Sequence, residues 1–212
     1  MQIEWLGHAC FLLTGTGGVK VLTDPFDEKV GYPLPKVEVD VVTVSHQHFD
    51  HNATHLLPGK PAVVEGPGRH TAAGIEIRGV ATFHDQERGA NRGANTVFVI
   101  GMDGLNVCHL GDLGHNLSPE SAAEIGAVDV LCVPVGGFYT IDGKVARETV
   151  DQLKPAVILP MHYKFDPGMG MPIAPVEDFL QYYPGARRQK ALILDKSSLT
   201  RESQVVVLEL GA

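Results

Sequence analysis

The chain has 212 residues, 44% of them hydrophobic and 20% charged, with a net charge of −8 at neutral pH. Those proportions suit a folded unit with a sizeable core and exclude a disordered chain, and the acidic balance removes the basic footprint by which proteins hold nucleic acid. No apolar run approaches the roughly 20 residues of a membrane span, so neither nucleic acid nor membrane is expected as a partner.

The opening Met1-Gln2-Ile3-Glu4-Trp5 has neither the basic region nor the apolar region of a secretory leader, and a cytoplasmic location is expected. Short apolar runs then recur between Gly, Pro and Asp, over 2–6, 10–13, 19–23, 41–45, 62–65, 75–80, 96–100, 106–110, 128–133, 156–160, 191–194 and 205–210. Their lengths predict strands. The turns Thr16-Gly17-Gly18 and Met102-Asp103-Gly104 suit hairpins, because Gly and Asp-Gly supply the positive φ required there. Helices are predicted from Ser118-Pro119-Glu120 toward Ile125, from about Ala146 to Lys154, and from about Val176 to Tyr182. Cys10, Cys108 and Cys132 stand singly in apolar segments, as buried thiols do. No linker or internal period interrupts the pattern, so a single α/β domain over 1–212 is expected.

Three runs, 41–45, 130–134 and 157–160, are unbroken apolar, as strands covered on both faces are. The first delivers His46, the second Gly136-Gly137-Phe138-Tyr139, and the third Met161-His162-Tyr163. Ligands of α/β proteins collect outside the carboxyl ends of strands, so these three endings predict one shared site.

The densest chemistry is His46-Gln47-His48-Phe49-Asp50-His51, which places three imidazoles and a carboxylate directly after a strand. Imidazole and carboxylate are the nitrogen and oxygen ligands that divalent first-row ions prefer. His46 and His48 are expected to share one ion, while Asp50 and His51 reach a second. Further donors must lie at element ends: His84 after 80–83, Asp112 behind Gly111, and His162 after the third apolar strand.

These spacings resemble the metallo-β-lactamase fold superfamily, through the His-x-His-x-Asp-His run, a later lone histidine, a Gly-Asp and a late histidine behind a strand. The resemblance implies a four-layered αβ/βα sandwich with a dinuclear site between facing sheets. It implies that His46, His48 and His84 hold one metal, that Asp50, His51 and His162 hold the other, and that Asp112 bridges them. Trp5-Leu6-Gly7-His8-Ala9 and Leu22-Thr23-Asp24-Pro25 are similar to the group containing ascorbate-6-phosphate lactonases and phospholipase D-type hydrolases of N-acyl ethanolamine phospholipids. Gly136-Gly137-Phe138-Tyr139-Thr140 and Pro160-Met161-His162-Tyr163 resemble small metal-dependent hydrolases of that group. The chain lacks the large added segments of the lactonase and the phospholipase, so neither substrate is carried over.

Other residues are candidates for substrate contact or for orienting the ligands. His8 and Asp24 end early strands and either line the site, orient an imidazole or simply pack. His115 and His109 flank Asp112 and are both candidates for touching substrate, with alternation favouring the core for His109; Asn95 is either a turn residue or a hydrogen-bond donor to the site. Tyr163 and Lys164 follow His162: one of them could hold an anionic or carbonyl group, and a solvent-facing Lys164 is an equal alternative. The segment 165–172, rich in glycine and methionine, is either a substrate-covering lid or an ordinary surface connection.

The expected reaction is hydrolysis of a small ester, lactone or phosphodiester by a hydroxide held between two divalent metal ions, with Asp50 orienting it and taking its proton. Zinc leads by affinity, and a shell without thiolate also accepts manganese, iron, cobalt or nickel. The rivals are an iron-dependent oxidoreductase on the same fold, a non-catalytic metal or metabolite binder, and a ribonuclease, the last disfavoured by net charge. A homo-oligomer is compatible with this reading.

Overall fold

The computed structural model describes residues 1–165, 170–200 and 202–211. The strands are β1 (Gln2–Gly7), β2 (Cys10–Thr14), β3 (Lys20–Thr23), β4 (Val41–Val44), β5 (Ala62–Glu65), β6 (Gly68–Ala72), β7 (Ile75–Phe83), β8 (Ala94–Met102), β9 (Leu105–His109), β10 (Val130–Pro134), β11 (Val157–Met161), β12 (Arg187–Gln189), β13 (Ala191–Ile193) and β14 (Gln204–Leu208). The helices are α1 (Pro119–Ile125), α2 (Gly143–Leu153) and α3 (Glu177–Leu180).

One sheet has the order β13-β1-β2-β3-β4-β5 and the other β12-β14-β11-β10-β9-β8-β7-β6. Both are mixed. In the first, β1, β2 and β3 pair antiparallel and β3, β4 and β5 pair parallel. In the second, β6 to β9 form an antiparallel meander, and β9, β10 and β11 then run parallel. The register β3–β4 sets Thr23 opposite Thr43, and β10–β11 sets Pro134 opposite Met161, so each parallel pair carries its loops out at the same edge.

The predicted hydrophobic continuity appears directly as burial. All residues of β4, β10 and β11 are buried, and the buried apolar side chains of both sheets form one cluster. Trp5 anchors one end, stacked on Tyr163 at 5.4 Å and edge-on to Tyr32 and Phe165. Helix α1 packs on β7, and α2 on β10 and α3. Ser118 caps α1 and Asp142 caps α2, each side chain accepting a backbone N–H of the first turn. The cap at Asp142 starts α2 at Gly143, three residues earlier than apolar periodicity suggests. Between β3 and β4, and again between β4 and β5, the described chain forms only 3-10 turns, at Glu28–Val30 and Thr54–Leu56. Helix α3 is shorter than expected, a single turn over Glu177–Leu180.

Candidate metal centre

Strand ends bring the donors together. β4 stops at Val44, and the loop behind it folds back through His51 N–H to His48 carbonyl at 3.0 Å, turning His46, His48, Asp50 and His51 toward the second sheet. His84 follows β7, Asp112 follows β9 by three residues, and His162 leaves β11 with φ +51°. Asp24 after β3 and His8 in the β1–β2 turn have φ of +41° and +53°. Left-handed backbone costs a non-glycine residue roughly 1–3 kcal/mol, so three such residues around one point mark a place where geometry is held by its surroundings.

The donor atoms form three overlapping groups whose members lie within 4.8 Å of one another: His46, His48 and His84; His46, His51 and Asp112; and His8, Asp50, His51 and His162. Thus all seven candidate ligands meet, with His8 beside them. Asp112 stands at the middle, its carboxylate 3.1 Å from His84 Nε2 and 3.3 Å from both His51 Nε2 and His162 Nε2.

The fit to cations rests on what these atoms leave undone. His46 Nε2, His51 Nε2 and Asp112 Oδ1 are buried without a hydrogen-bond partner. His51 and Asp112 therefore approach to 3.3 Å without the alignment of a hydrogen bond, both facing a common space. Asp24, Asp50 and Asp112 are all buried, and among the described residues their ion-pair partners are histidines alone. Buried carboxylates on this scale call for cationic charge, and divalent ions supply it.

Orientation is fixed from behind. Asp24 accepts from Ser45 N at 2.8 Å and Ser45 Oγ at 2.6 Å, and receives His51 Nδ1 at 2.9 Å. That contact assigns the proton of His51 to Nδ1 and aims Nε2 inward, so Asp24 orients an imidazole rather than lining the cleft. Ser45 Oγ also meets His46 Nδ1 at 2.9 Å. His8 Nε2 lies 3.2 Å from Asp50 Oδ2, and its ring rests on His162 with centroids 4.1 Å apart. Asn95 is likewise a positioning group: its Nδ2 donates to Thr82 Oγ1 and to Leu110 carbonyl, and its Oδ1 accepts from Asp112 N at 2.9 Å. Gly111 is needed where it stands, with φ +55° and a Cβ there meeting Ser45 Cβ at 2.6 Å. Gly136 is needed too, because a Cβ would strike the His162 carbonyl.

The electrostatics favour metal binding. Burial, and then His162, push His8 down to about 4, and burial with His51 pushes His46 down to about 3, so both are neutral lone-pair carriers. Burial opposes ionisation of Asp112 and Asp50, but the surrounding histidines outweigh it and hold both carboxyls below their usual range. Burial also opposes charge on His51, yet Asp112 and Asp50 prevail and raise it well above an ordinary imidazole. The second proton that these carboxylates favour, on Nε2, competes with a cation for the same lone pair.

Several expected contacts lie elsewhere. Tyr163 is buried in the Trp5 cluster, because the left-handed backbone of His162 ends β11 and carries the next side chain away from the donors. Lys164 is exposed, drawn to the surface by its N–H bond to the Ala174 carbonyl. His115 accepts from Phe83 N through Nε2 and meets Asn116 carbonyl through Nδ1, away from the donor groups. His109 is a core residue held by the Ala9 carbonyl at 2.8 Å. Of the suggested lid, 166–169 lie outside the described residues, while Met171 lines the cleft.

That cleft, of about 450 Å³, is floored by His48, Asp50, His84, Asp112 and His162 and walled by Phe49, Arg92, Tyr139 and Met171. Arg92 escapes a reading of motifs. Its position follows from Asp85, whose carboxylate gathers the loop behind His84, a tertiary fact with only the adjacency of His84 and Asp85 as its sequence signal.

A model of the beta-lactamase superfamily domain matches residues 2–162, a span that runs from β1 to His162. The chain is 33% identical to a UPF0173 metal-dependent hydrolase of Methanoregula boonei, over 77% of this chain and 82% of that protein. A UPF0173 metal-dependent hydrolase of Thermoplasma acidophilum is 32% identical, over 77% and 83%. Among solved structures, a protein of Thermotoga maritima described as a Zn-dependent hydrolase of the metallo-beta-lactamase superfamily superposes with a TM-score of 0.84 and 46% identity, covering 98% of each chain. With its donor cluster set between two mixed sheets, the chain belongs to the metal-dependent hydrolases of the metallo-β-lactamase superfamily.

Proposed function

We propose that the protein hydrolyses a small ester, lactone or phosphodiester with the help of two divalent metal ions. The observation that carries this is the interlocking of the three donor groups through His46 and His51, with Asp112 reaching both sides. His46, His48 and His84 would hold one ion, Asp50, His51 and His162 the other, and Asp112 both. Zinc leads among the candidates, with manganese, iron, nickel and cobalt fitting the same nitrogen and oxygen donors. When bound, such ions acidify water and polarise the oxygen of the attacked carbonyl or phosphoryl group.

The chain's own part is placement and proton handling. Asp50 lies at the cleft floor with Oδ2 engaged by His8 Nε2, leaving Oδ1 to orient the attacking water and accept its proton. His8, held neutral by burial, keeps Asp50 in that rotamer. The cleft volume suits a small molecule, and Phe49, Tyr139 and Met171 offer it an apolar wall.

Elemental analysis of protein purified without chelator, joined to an activity screen over phosphodiesters, lactones and esters with each metal, tests the proposal. About two ions per chain and metal-dependent hydrolysis are expected, since the seven donors leave open positions for water. A plateau at one ion with Asp50 and His51 unligated would overturn the dinuclear assignment, and redox turnover without hydrolysis would overturn the reaction class.

A further inference from the structure

Arg92 lines the metal cleft and also the two clefts on either side of it, one shared with His115 and Asp142, the other with His46 and Glu65. It therefore borders both clefts that reach donor residues and the neighbouring one that does not. Its guanidinium rests 5.4 Å from the Tyr139 ring centre and 6.0 Å from that of Phe138. Among the described residues it has no carboxylate within 4.0 Å and no side-chain hydrogen bond. Lys29, the other cation over a ring at this mouth, is already paired with Asp27 at 3.4 Å.

The backbone beneath Arg92 is not free to wander. Asp85 is buried, and its Oδ1 accepts from the N–H groups of Glu87 and Gly89, both at 2.8 Å, while its Oδ2 accepts from Asn91 at 3.0 Å and Arg92 at 2.7 Å. The loop is closed again by His84 N–H on the Gly93 carbonyl and Gly93 N–H on the Gly89 carbonyl. The carboxylate next in sequence to His84 thus fixes the backbone from which the unpaired guanidinium springs. Planar, permanently charged and set against two aromatic faces, such a guanidinium is built for a two-pronged contact with an oxyanion.

We infer that Arg92 is the specificity-determining residue of the cleft, receiving a carboxylate or phosphate carried by the substrate a short distance from the bond that is cleaved. This rests on the hydrolase reading of the same site and narrows it to anionic esters or their lactone and phosphate counterparts. The apolar wall takes the connecting chain, and Lys164 takes no part.

Two esters with acyl chains of four carbons test it with the zinc-loaded protein: mono(4-nitrophenyl) succinate, which carries the anion, and 4-nitrophenyl butyrate, which does not. Arg92→Gln should raise KM for the succinate by about 10- to 100-fold and leave KM for the butyrate within about twofold, with kcat little changed. Arg92→Lys, which keeps the charge and loses the fork, should fall between, and Lys164→Ala should match the parent. Equal effects on both esters, or none, would overturn the assignment. Should the parent protein cleave neither ester, that result counts against the hydrolase reading, and calorimetry decides Arg92 separately. Arg92→Gln should then lose about tenfold or more in affinity for 3-carboxypropylphosphonate or propane-1,3-diphosphonate, but nothing for propylphosphonate. Loss with the first alone identifies a carboxylate, loss with the second alone a phosphate, and unchanged affinity for all three overturns the inference.

Discussion

In the metal cradle every donor but His48 is buried, and four are steadied by a second group, His46 by Ser45, His51 by Asp24, Asp112 by Asn95 and Asp50 by His8. The cleft mouth is made differently: Phe49 and Phe138 stand 46% and 61% exposed, and Arg92 is secured through its backbone while its side chain lies on aromatic rings. The difference separates two tasks. Chemistry requires donors fixed within a fraction of an ångström, which buried polar networks achieve; substrate choice is served by side chains that can be exchanged without unfolding the core. Damage to the cradle should therefore abolish turnover, and damage to the mouth should change preference.

The largest effect is expected at Asp112. Asp112→Ala removes the carboxylate that reaches His51, His84 and His162, so the protein should lose at least one ion by elemental analysis and its hydrolysis with it. Full metal occupancy in the folded variant would show that Asp112 does not join the two sides. Asp50→Asn keeps shape while removing the charge and the proton acceptor, and turnover should fall by about 100-fold or more with the fold intact. Near-parental rates in a metallated Asp50→Asn protein would hand the proton to another group.

Behind the ligands the effect should shrink but persist. Asp24→Asn leaves Ser45 and His51 facing an amide in place of a carboxylate, weakening the hold on the His51 tautomer. Metal affinity should drop by roughly 10- to 100-fold, measured by competition with a chromogenic chelator. An unchanged affinity would mean that the cradle does not depend on its supports, and the contrast with the mouth would weaken.

How much of this was legible beforehand differs along the same line. The run His46 to His51 announces itself because its donors are contiguous, and β4, β10 and β11 because they are wholly apolar and wholly buried. Strands β6 and β12 leave no such trace. Their residues are largely exposed and polar, and they are held in the sheet by backbone pairing that any sequence can make. His84, Asp112 and His162 were readable as strand-end donors, but the roles of Asp24, Asn95 and His8 were not, because each depends on which atom of a distant residue it meets. Proximity in sequence misled at Tyr163 and Lys164: the left-handed turn at His162 sends the first into the Trp5 cluster, and the second is exposed at the surface. Arg92 was invisible for the converse reason, since it joins the site only because Asp85 folds seven residues around one carboxylate.

That loop supplies the smallest and most selective test of the contrast. Asp85→Asn preserves size, but an amide can accept on one side only, so its NH2 must face either the Glu87 and Gly89 pair or the Asn91 and Arg92 pair of N–H donors. The loop should loosen and KM for mono(4-nitrophenyl) succinate should rise by about threefold to tenfold, while zinc content and turnover of 4-nitrophenyl butyrate stay near the parent. Burial opposes ionisation of the Asp85 carboxyl, but the backbone N–H groups, led by that of Arg92, outweigh it and depress the folded value. A depressed carboxyl contributes stability above its unfolded value and loses it as pH falls through the folded one, so Asp85 is ionised throughout the range of about pH 6 to 8. KM for the anionic ester should accordingly be flat there on account of the loop, and Asp85→Asn should shift it by the same factor at each pH. If Asp85→Asn instead releases zinc, the loop is holding His84 as much as Arg92, and cradle and mouth are one structure rather than two.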